Sequence, residues 1–537
     1  MTKLTQYTSY ADAQAHASSA ALWELFDGDR EHLNIAHECI TRHADGSGRP
    51  AVRIAHADGS DEVLSFDTIS AGAAQFAHWL DAEGVKPGDR IAFMLEPSLP
   101  FYVCLFGAMQ TGAISVPLFT LFGPDALKLR VGDCNPSILI TNVERAELAR
   151  GSVGPDGTPR VVVADDGLLD VITKYPATYT PKTKANDMAV FQYTSGTTRE
   201  LPEAVKHSHR TLVTLMFAAL YGTGIRPKSS NYEGDEFFCP SSPAWGHGLW
   251  HGTLAPLAMG VTTGTFAGRF DPVRLMKALD DFGITNMSAA ATHYRMMKNS
   301  GQKGGKTGGD FKFHFDKLSY TGEPIDPATL EWIDEYFKVP ACSMYGTTEI
   351  GVVLVNYPGA SDFTVKPGSL GKAVPGQRLE VQRPDGTPSD PGEIGELMLW
   401  RSGSWMTTKD RARIDADGYF YHCGRADDVI ISAGWTMSAV EIENTMLRHE
   451  NVMECGVIGV PDEQRGQVVK AFVVANCEGS DALVKELQDF TRERLAQHEF
   501  PRIVEFVAEL PKNPAGKVHR KMLRDSEAVK LAAAAAA

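Results

Sequence analysis

From residue 70 to residue 193 short apolar runs alternate with longer segments of helical period, and that alternation restricts the chain to a layered α/β architecture. The segment 70–84, SAGAAQFAHWLDAEG, repeats its apolar residues every three to four positions. It ends at the turn Lys86-Pro87-Gly88-Asp89 and gives way to the run RIAFML. FYVCLFGAMQTG and AISVPL repeat the theme, and SILIT, RVVVA and MAVFQY extend it. Short runs without polar alternation belong to strands covered on both faces, with the helices as crossovers. No self-similarity at a solenoid period is present.

At 537 residues the chain exceeds the roughly 250–300 at which single cores stop growing, so two or three domains are expected. The character changes around residues 410–425, where turn residues, alternating aromatics and charge pairs replace long apolar runs. A small α/β pattern of its own follows from Ala439. We expect a boundary near Gly424, giving an N-terminal domain 1–424 and a C-terminal domain 425–531. The alanine run 532–537 is set aside as a tail without function.

The formal net charge of −15 gives no general attraction for phosphate polymers, so nucleic acid is not an expected partner. Eight scattered cysteines form no CxxC pair or Cys/His cluster, the usage of reduced thiols in the cytoplasm. The first residues lack the apolar run of a secretory signal. Residues 101–124 contain no charge, but Gln110, Thr111, Pro117, Thr120 and the glycines keep them below spanning hydrophobicity. They read as a buried helix, a turn and a core strand, so no membrane association is expected.

Four motifs carry chemistry. Tyr193-Thr194-Ser195-Gly196-Thr197-Thr198 follows a strand, and small hydroxyl residues around a glycine leave donors free to surround a polyphosphate. Tyr345-Gly346-Thr347-Thr348-Glu349 places hydroxyls and a carboxylate at a strand end, as holding Mg²⁺ beside phosphates requires. Gly424-Arg425-Ala426-Asp427-Asp428 offers a guanidinium suited to phosphate or ribose oxygens. Pro511-Lys512-Asn513-Pro514-Ala515-Gly516-Lys517 sets a lysine behind a turn. Each alone also fits a polar turn or a solvated charge.

In this order and at these separations the motifs resemble the adenylate-forming superfamily, in particular the medium-chain and aromatic-acid CoA ligases. The resemblance spans nearly the whole chain and implies an α/β fold. It implies a large N-terminal domain of layered α/β subdomains with a small β-barrel-like subdomain, and a small mobile α+β C-terminal domain. It implies a ligase that uses ATP and Mg²⁺ to convert a carboxylic acid to an acyl-adenylate and then forms a thioester with coenzyme A.

By the same resemblance, residues 194–198 enclose the β- and γ-phosphates, Glu349 binds Mg²⁺ and Thr348 contacts the α-phosphate. Lys517 approaches the reacting carboxylate. Gly322, Glu323 and Pro324 line the adenine, with Tyr345, Gly346 and Thr347 beside the nucleotide. Asp410 holds the ribose although its motif reads Thr408-Lys409-Asp410 where relatives carry glycine in the middle, and Arg425 reaches ribose or phosphate. Asp427 is the hinge, and Gly434 and Trp435 belong to the coenzyme A tunnel. Trp245, Gly246, His247 and Gly346 shape the acyl pocket, Gly346 leaving depth where acetate-specific relatives carry tryptophan. A homodimer is a habit of such proteins.

The chain departs from the family after Thr198. The usual lysine of the phosphate loop is replaced by Glu203, so Lys206 or Arg199 is expected to supply the missing charge. The departure leaves open a nucleotide-binding member without turnover. An adenylating enzyme that loads a carrier-protein thiol is the other alternative, although no carrier-like segment follows Lys517.

Overall fold

The computed structural model describes residues 3–193, 204–230, 232–302, 311–322, 325–347, 350–425, 429–432, 435–462, 466–495, 500–512 and 518–536. The chain forms two compact units, the first from residues 1–322, 336–364 and 374–376, the second from 323–335, 365–373 and 377–537.

In chain order the strands of the first unit are β1 (Pro50–His56), β2 (Asp61–Ser65), β3 (Arg90–Met94), β4 (Ile114–Pro117), β5 (Ile138–Thr141), β6 (Arg160–Val163), β7 (Met188–Gln192), β8 (Val205–Ser208), β9 (Glu236–Phe238), β10 (Thr262–Ala267), β11 (Asn286–Ala290), β12 (Lys317–Thr321), β13 (Ala341–Thr347) and β14 (Gly351–Val355). One sheet has the order β6-β5-β3-β4-β7-β8, parallel except for the hairpin of β7 and β8. In a second sheet β14-β13-β12-β11-β9-β10-β1-β2 are neighbours, with β2 and β14 antiparallel to six parallel strands. Every residue of β4, β5 and β10 is buried, as unbroken apolar runs in covered parallel sheets require.

The charge-free stretch from residue 101 is part of the helix Leu99–Thr111, buried from Phe101 onward, and leads into β4. Ser98 caps it by accepting the Phe101 N–H, and Gly112, at φ +80°, ends it in the left-handed region glycine favours. A Cβ on Gly107 would lie 2.7 Å from the Ala73 carbonyl oxygen, so glycine lets this helix close on the helix Phe66–Ala82. Among the described residues no helix is long and apolar enough to cross a membrane.

The second unit continues with β15 (Lys372–Ala373), β16 (Arg378–Gln382), β17 (Gly395–Arg401), β18 (Ser404–Ile414), β19 (Phe420–Arg425), β20 (Val429–Ser432), β21 (Trp435–Ser438), β22 (Val452–Asp462), β23 (Gly466–Ala475) and β24 (Ile503–Phe506). The small barrel-like piece takes the form of an antiparallel sheet, β16-β17-β18-β19. Position 424 therefore lies inside this compact unit.

Beyond the β20–β21 hairpin, β22, β23 and β24 form a three-stranded sheet whose residues alternate between two apolar cores. Val457, Val469 and Val473 pack with Ile442, Met446, Leu483 and Leu487 of the helices Ala439–Met446 and Asp481–Arg494. Ile458, Val468 and Phe472 pack with Leu523 of the helix Arg520–Ala536. Seven of the eight cysteines are buried and Cys477 is exposed.

Candidate functional site

In open α/β sheets ligands bind beyond the carboxyl ends of the parallel strands. In the second sheet β9, β11, β12 and β13 are successive parallel neighbours, and a group of the residues singled out in the first unit follows or ends three of them. The segment 241–247 follows β9, Gly322 follows β12, and Tyr345, Gly346 and Thr347 end β13. Thr321 Oγ1 donates to the Met344 carbonyl at 2.8 Å, tying the last two ends together.

His247 opens a π-helix, His247–Leu254, a rare form that recurs at functional sites. Its Nδ1 is 3.1 Å from Ser241 Oγ and its Nε2 is 2.8 Å from Ser288 Oγ on β11, so the ring bridges two strand ends. Burial, with the His251 and His293 rings adding to it, pushes the imidazole down to about 3. His247 is therefore a neutral, oriented group. Gly248 has no alternative: a Cβ there would sit 2.2 Å from the Ser242 carbonyl oxygen.

The two sheets meet at the end of β7. Trp250 Nε1 donates to Gln192 Oε1 at 3.1 Å, and Gln192 Nε2 donates to the Ala244 carbonyl at 3.4 Å. The His207 ring lies edge-on to Trp250 at 4.8 Å, and Trp245 packs against Phe119 at 5.5 Å. At Gly246 a Cβ would meet Gln192 Oε1 at 3.6 Å, an ordinary contact, so this position tolerates a side chain without a clash. Sequence reasoning missed Gln192, His207 and Phe119. The lone polar residue of the run MAVFQY was the available signal for Gln192, and nothing local marked the other two.

β7 and β8 are antiparallel, with Gln192 opposite Val205 and Phe191 opposite Lys206. Lys206 is exposed, its Nζ 5.3 Å over the Phe191 ring. Strand alternation puts it on the face opposite His207. Thr194, Ser195, Gly196, Thr197, Thr198, Arg199 and Glu203 lie outside the described residues, as do Glu323, Pro324, Thr348 and Glu349.

At the tip of β13 the ladder with β14 is irregular between Tyr345 and Gly346, and a Cβ on Gly346 would lie 2.0 Å from the Gly351 carbonyl oxygen. The missing side chain points at backbone, so hairpin packing itself demands glycine here, apart from any question of pocket depth.

In the second unit Asp410 is buried, and in the β18–β19 ladder it stands opposite Arg425. Thr408 Oγ1 accepts the Asp410 N–H at 3.2 Å and donates to the Leu397 carbonyl at 2.8 Å. His422 Nε2 is 3.6 Å from Asp410 Oδ1. Lys409 between them, in the irregular stretch of β18, has φ +63°, a backbone conformation that glycine adopts freely.

Trp435 pairs with Ser432 in the β20–β21 hairpin, while Asp427 and Gly434 lie outside the described residues. Lys517 does too, and the described residues on either side of it pair with one another. Lys512 bridges Val518, and the His519 N–H donates to the Pro511 carbonyl at 2.7 Å. Among the described residues no group of three metal-ligating side chains occurs.

The family described as AMP-binding enzyme matches residues 41–408, and the AMP-binding enzyme C-terminal domain matches residues 441–517. The chain is 28% identical to the acetyl-coenzyme A synthetase of Bacillus subtilis (strain 168), over 92% of this chain and 90% of that protein. It is 27% identical to the mitochondrial acyl-coenzyme A synthetase ACSM3 of Homo sapiens, over 93% and 90%. Among solved structures, the anthranilate CoA ligase AuaEII in complex with anthranoyl-AMP matches with a TM-score of 0.82 and 26% identity, over 96% of this chain and 100% of that one. A benzoate CoA ligase from Burkholderia xenovorans LB400 matches with a TM-score of 0.76 and 25% identity, over 92% and 100%.

Proposed function

The chain belongs to the AMP-binding enzyme family, and from that premise we propose how it carries out its reaction. It is an acyl-CoA synthetase: with ATP and Mg²⁺ it activates a carboxylic acid as the acyl-adenylate, releasing pyrophosphate, and then forms acyl-CoA and AMP. The observation that carries the reading is the match of the AMP-binding enzyme family over residues 41–408 and of its C-terminal domain over residues 441–517.

In the first half-reaction a carboxylate oxygen attacks the α-phosphorus while the bond to pyrophosphate breaks. The acid is already ionised, so no general base is required. What the protein supplies is position and charge stabilisation. Residues 194–198 surround the β- and γ-phosphates, with Lys206 or Arg199 supplying the positive charge that Glu203 does not. Thr348 donates to the α-phosphate and Lys517 neutralises charge at the reacting oxygens. Glu349 would hold the Mg²⁺, which would offset the negative charge of the phosphates. Asp410 and Arg425 hold the ribose and phosphate, and Gly322, Glu323, Pro324, Tyr345, Gly346 and Thr347 flank the base and α-phosphate.

In the second half-reaction the C-terminal part, 425–531, turns about Asp427 relative to 1–424 and brings Gly434 and Trp435 to the pantetheine arm of coenzyme A. The acyl group is a medium chain or an aromatic ring. The flat faces of Trp245 and Phe119, with the small residue Gly246 beside Trp245, support that choice. We place the protein in the cytoplasm, where its buried thiols stay reduced, as a homodimer that binds the acid, ATP and coenzyme A.

The test is trapping with hydroxylamine across acetate to decanoate and substituted benzoates. We expect hydroxamates from the medium-chain or aromatic acids. Product from acetate alone would overturn the substrate class, and none from any acid would leave a nucleotide-binding protein without turnover.

A further inference from the structure

We propose that Asp133 is a positioning residue for the phosphate loop: its carboxylate ties together the two stems of the segment 194–203. The inference rests on the reading of that segment as the loop that encloses the β- and γ-phosphates.

The hairpin register fixes the geometry. Its last pair before the loop is Gln192 opposite Val205. One position farther on, the Tyr193 hydroxyl donates to Asp133 Oδ2 at 2.7 Å, and the Ala204 N–H donates to the same oxygen at 3.2 Å. One atom thus accepts from both sides of the loop mouth, so Asp133 holds Tyr193 and Ala204 to each other beyond the end of the ladder.

The carboxylate stands where its own helix does not favour it. Asp133 occupies the last turn of the helix Pro124–Cys134, the partially negative end, where an acid is disfavoured unless donors from elsewhere hold it. The two stems supply those donors.

The stems are seated as well as tied. The side chains of Tyr193 and Ala204 are buried with Leu127, Val131 and Cys134. The Arg130 guanidinium lies 5.6 Å over the Tyr193 ring and 3.9 Å over Phe122, and its carbonyl is 3.0 Å from the Tyr193 hydroxyl. Burial raises the Tyr193 hydroxyl far above its ordinary range, so it stays a donor at every working pH.

A loop whose ends are fixed presents its donors to the phosphates without first paying an ordering cost, which is the preorganisation that electrostatic catalysis needs. Release of one stem lets donors drift from the reacting geometry. The damage then falls on the half-reaction that uses the β- and γ-phosphates and spares the one that does not.

The experiment compares the two half-reactions in Asp133→Ala, Asp133→Asn and Tyr193→Phe, with Ser195→Ala and Thr197→Ala as probes of the loop itself. For Asp133→Ala we expect kcat/KM for ATP and for pyrophosphate exchange to fall about 10- to 100-fold. KM for the acid and thioester formation from preformed acyl-adenylate should stay within about twofold. Asp133→Asn, which keeps an acceptor oxygen, should recover most of the loss. Tyr193→Phe combined with Asp133→Ala should be no worse than Asp133→Ala alone, because both break one clamp.

Unchanged ATP kinetics in Asp133→Ala beside an impaired Thr197→Ala would overturn the clamp and leave the loop reading standing. Equal losses in both half-reactions would overturn it as well, since they would mark general damage. Wild-type ATP kinetics in Ser195→Ala and Thr197→Ala would remove the loop reading and the clamp with it.

Discussion

At φ +63° the Cβ of Lys409 crowds its own backbone, a conformation that costs a non-glycine residue about 1–2 kcal/mol. Glycine relieves that strain but loses about 0.5–1 kcal/mol to unfolded-state entropy. Lys409→Gly should therefore stabilise the β18–β19 region by about 0.5–1 kcal/mol, read as a higher thermal midpoint with Asp410 still in register. Gly346 gives the opposite case. Its Cβ direction runs into the Gly351 carbonyl, so Gly346→Ala should lose activity with the shortest and the longest accepted acids alike. Activity retained with the shortest of them alone would show that the substitution acts on pocket depth instead. Both residues were visible in the sequence as members of motifs. Their physical reasons were not, because a dihedral angle and a backbone approach from five residues away leave no compositional trace.

The hairpin β7–β8 and the π-helix together bury His207, His247 and His251 as neutral rings. Burial holds them at about 4, 3 and 4 in the folded chain, against about 6.5 when unfolded. Below pH 6.5 the unfolded chain takes up protons that the folded chain refuses, so stability falls as the pH drops toward these folded values. Each histidine contributes up to about 1.4 kcal/mol per pH unit in that window. Above it both states carry neutral rings and these groups add no slope. Thermal midpoints measured from pH 7.5 down to 5 should show the decline, and His251→Phe should flatten it by one histidine. The helical and strand periods of this region were legible in the sequence. The π-form was not, since it depends on Gly248 fitting beneath the Ser242 carbonyl, a contact between segments that periodicity does not encode.

Across the whole molecule the two half-reactions divide the work of the C-terminal part. Lys517→Ala should lower acyl-adenylate formation ~100-fold or more while thioester formation from preformed acyl-adenylate changes little, because only the first step needs its charge. Comparable losses in both steps would remove Lys517 from the adenylating role. At this scale the sequence was most informative about order: motif succession announced the family, and the alternating apolar runs announced the parallel sheets. About division it offered the change of character near residue 410, while residues 377–425 fall in the second compact unit.

The placement of the cysteines has a practical consequence. With seven thiols sealed in the folded chain and Cys477 exposed just beyond β23, a maleimide dye should couple once to the native protein and eight times after denaturation, countable by mass. The enzyme thus arrives with a single-colour tag point already built into its second compact unit. Fluorescence anisotropy of that dye during turnover would report whether this part turns between half-reactions, without altering one residue.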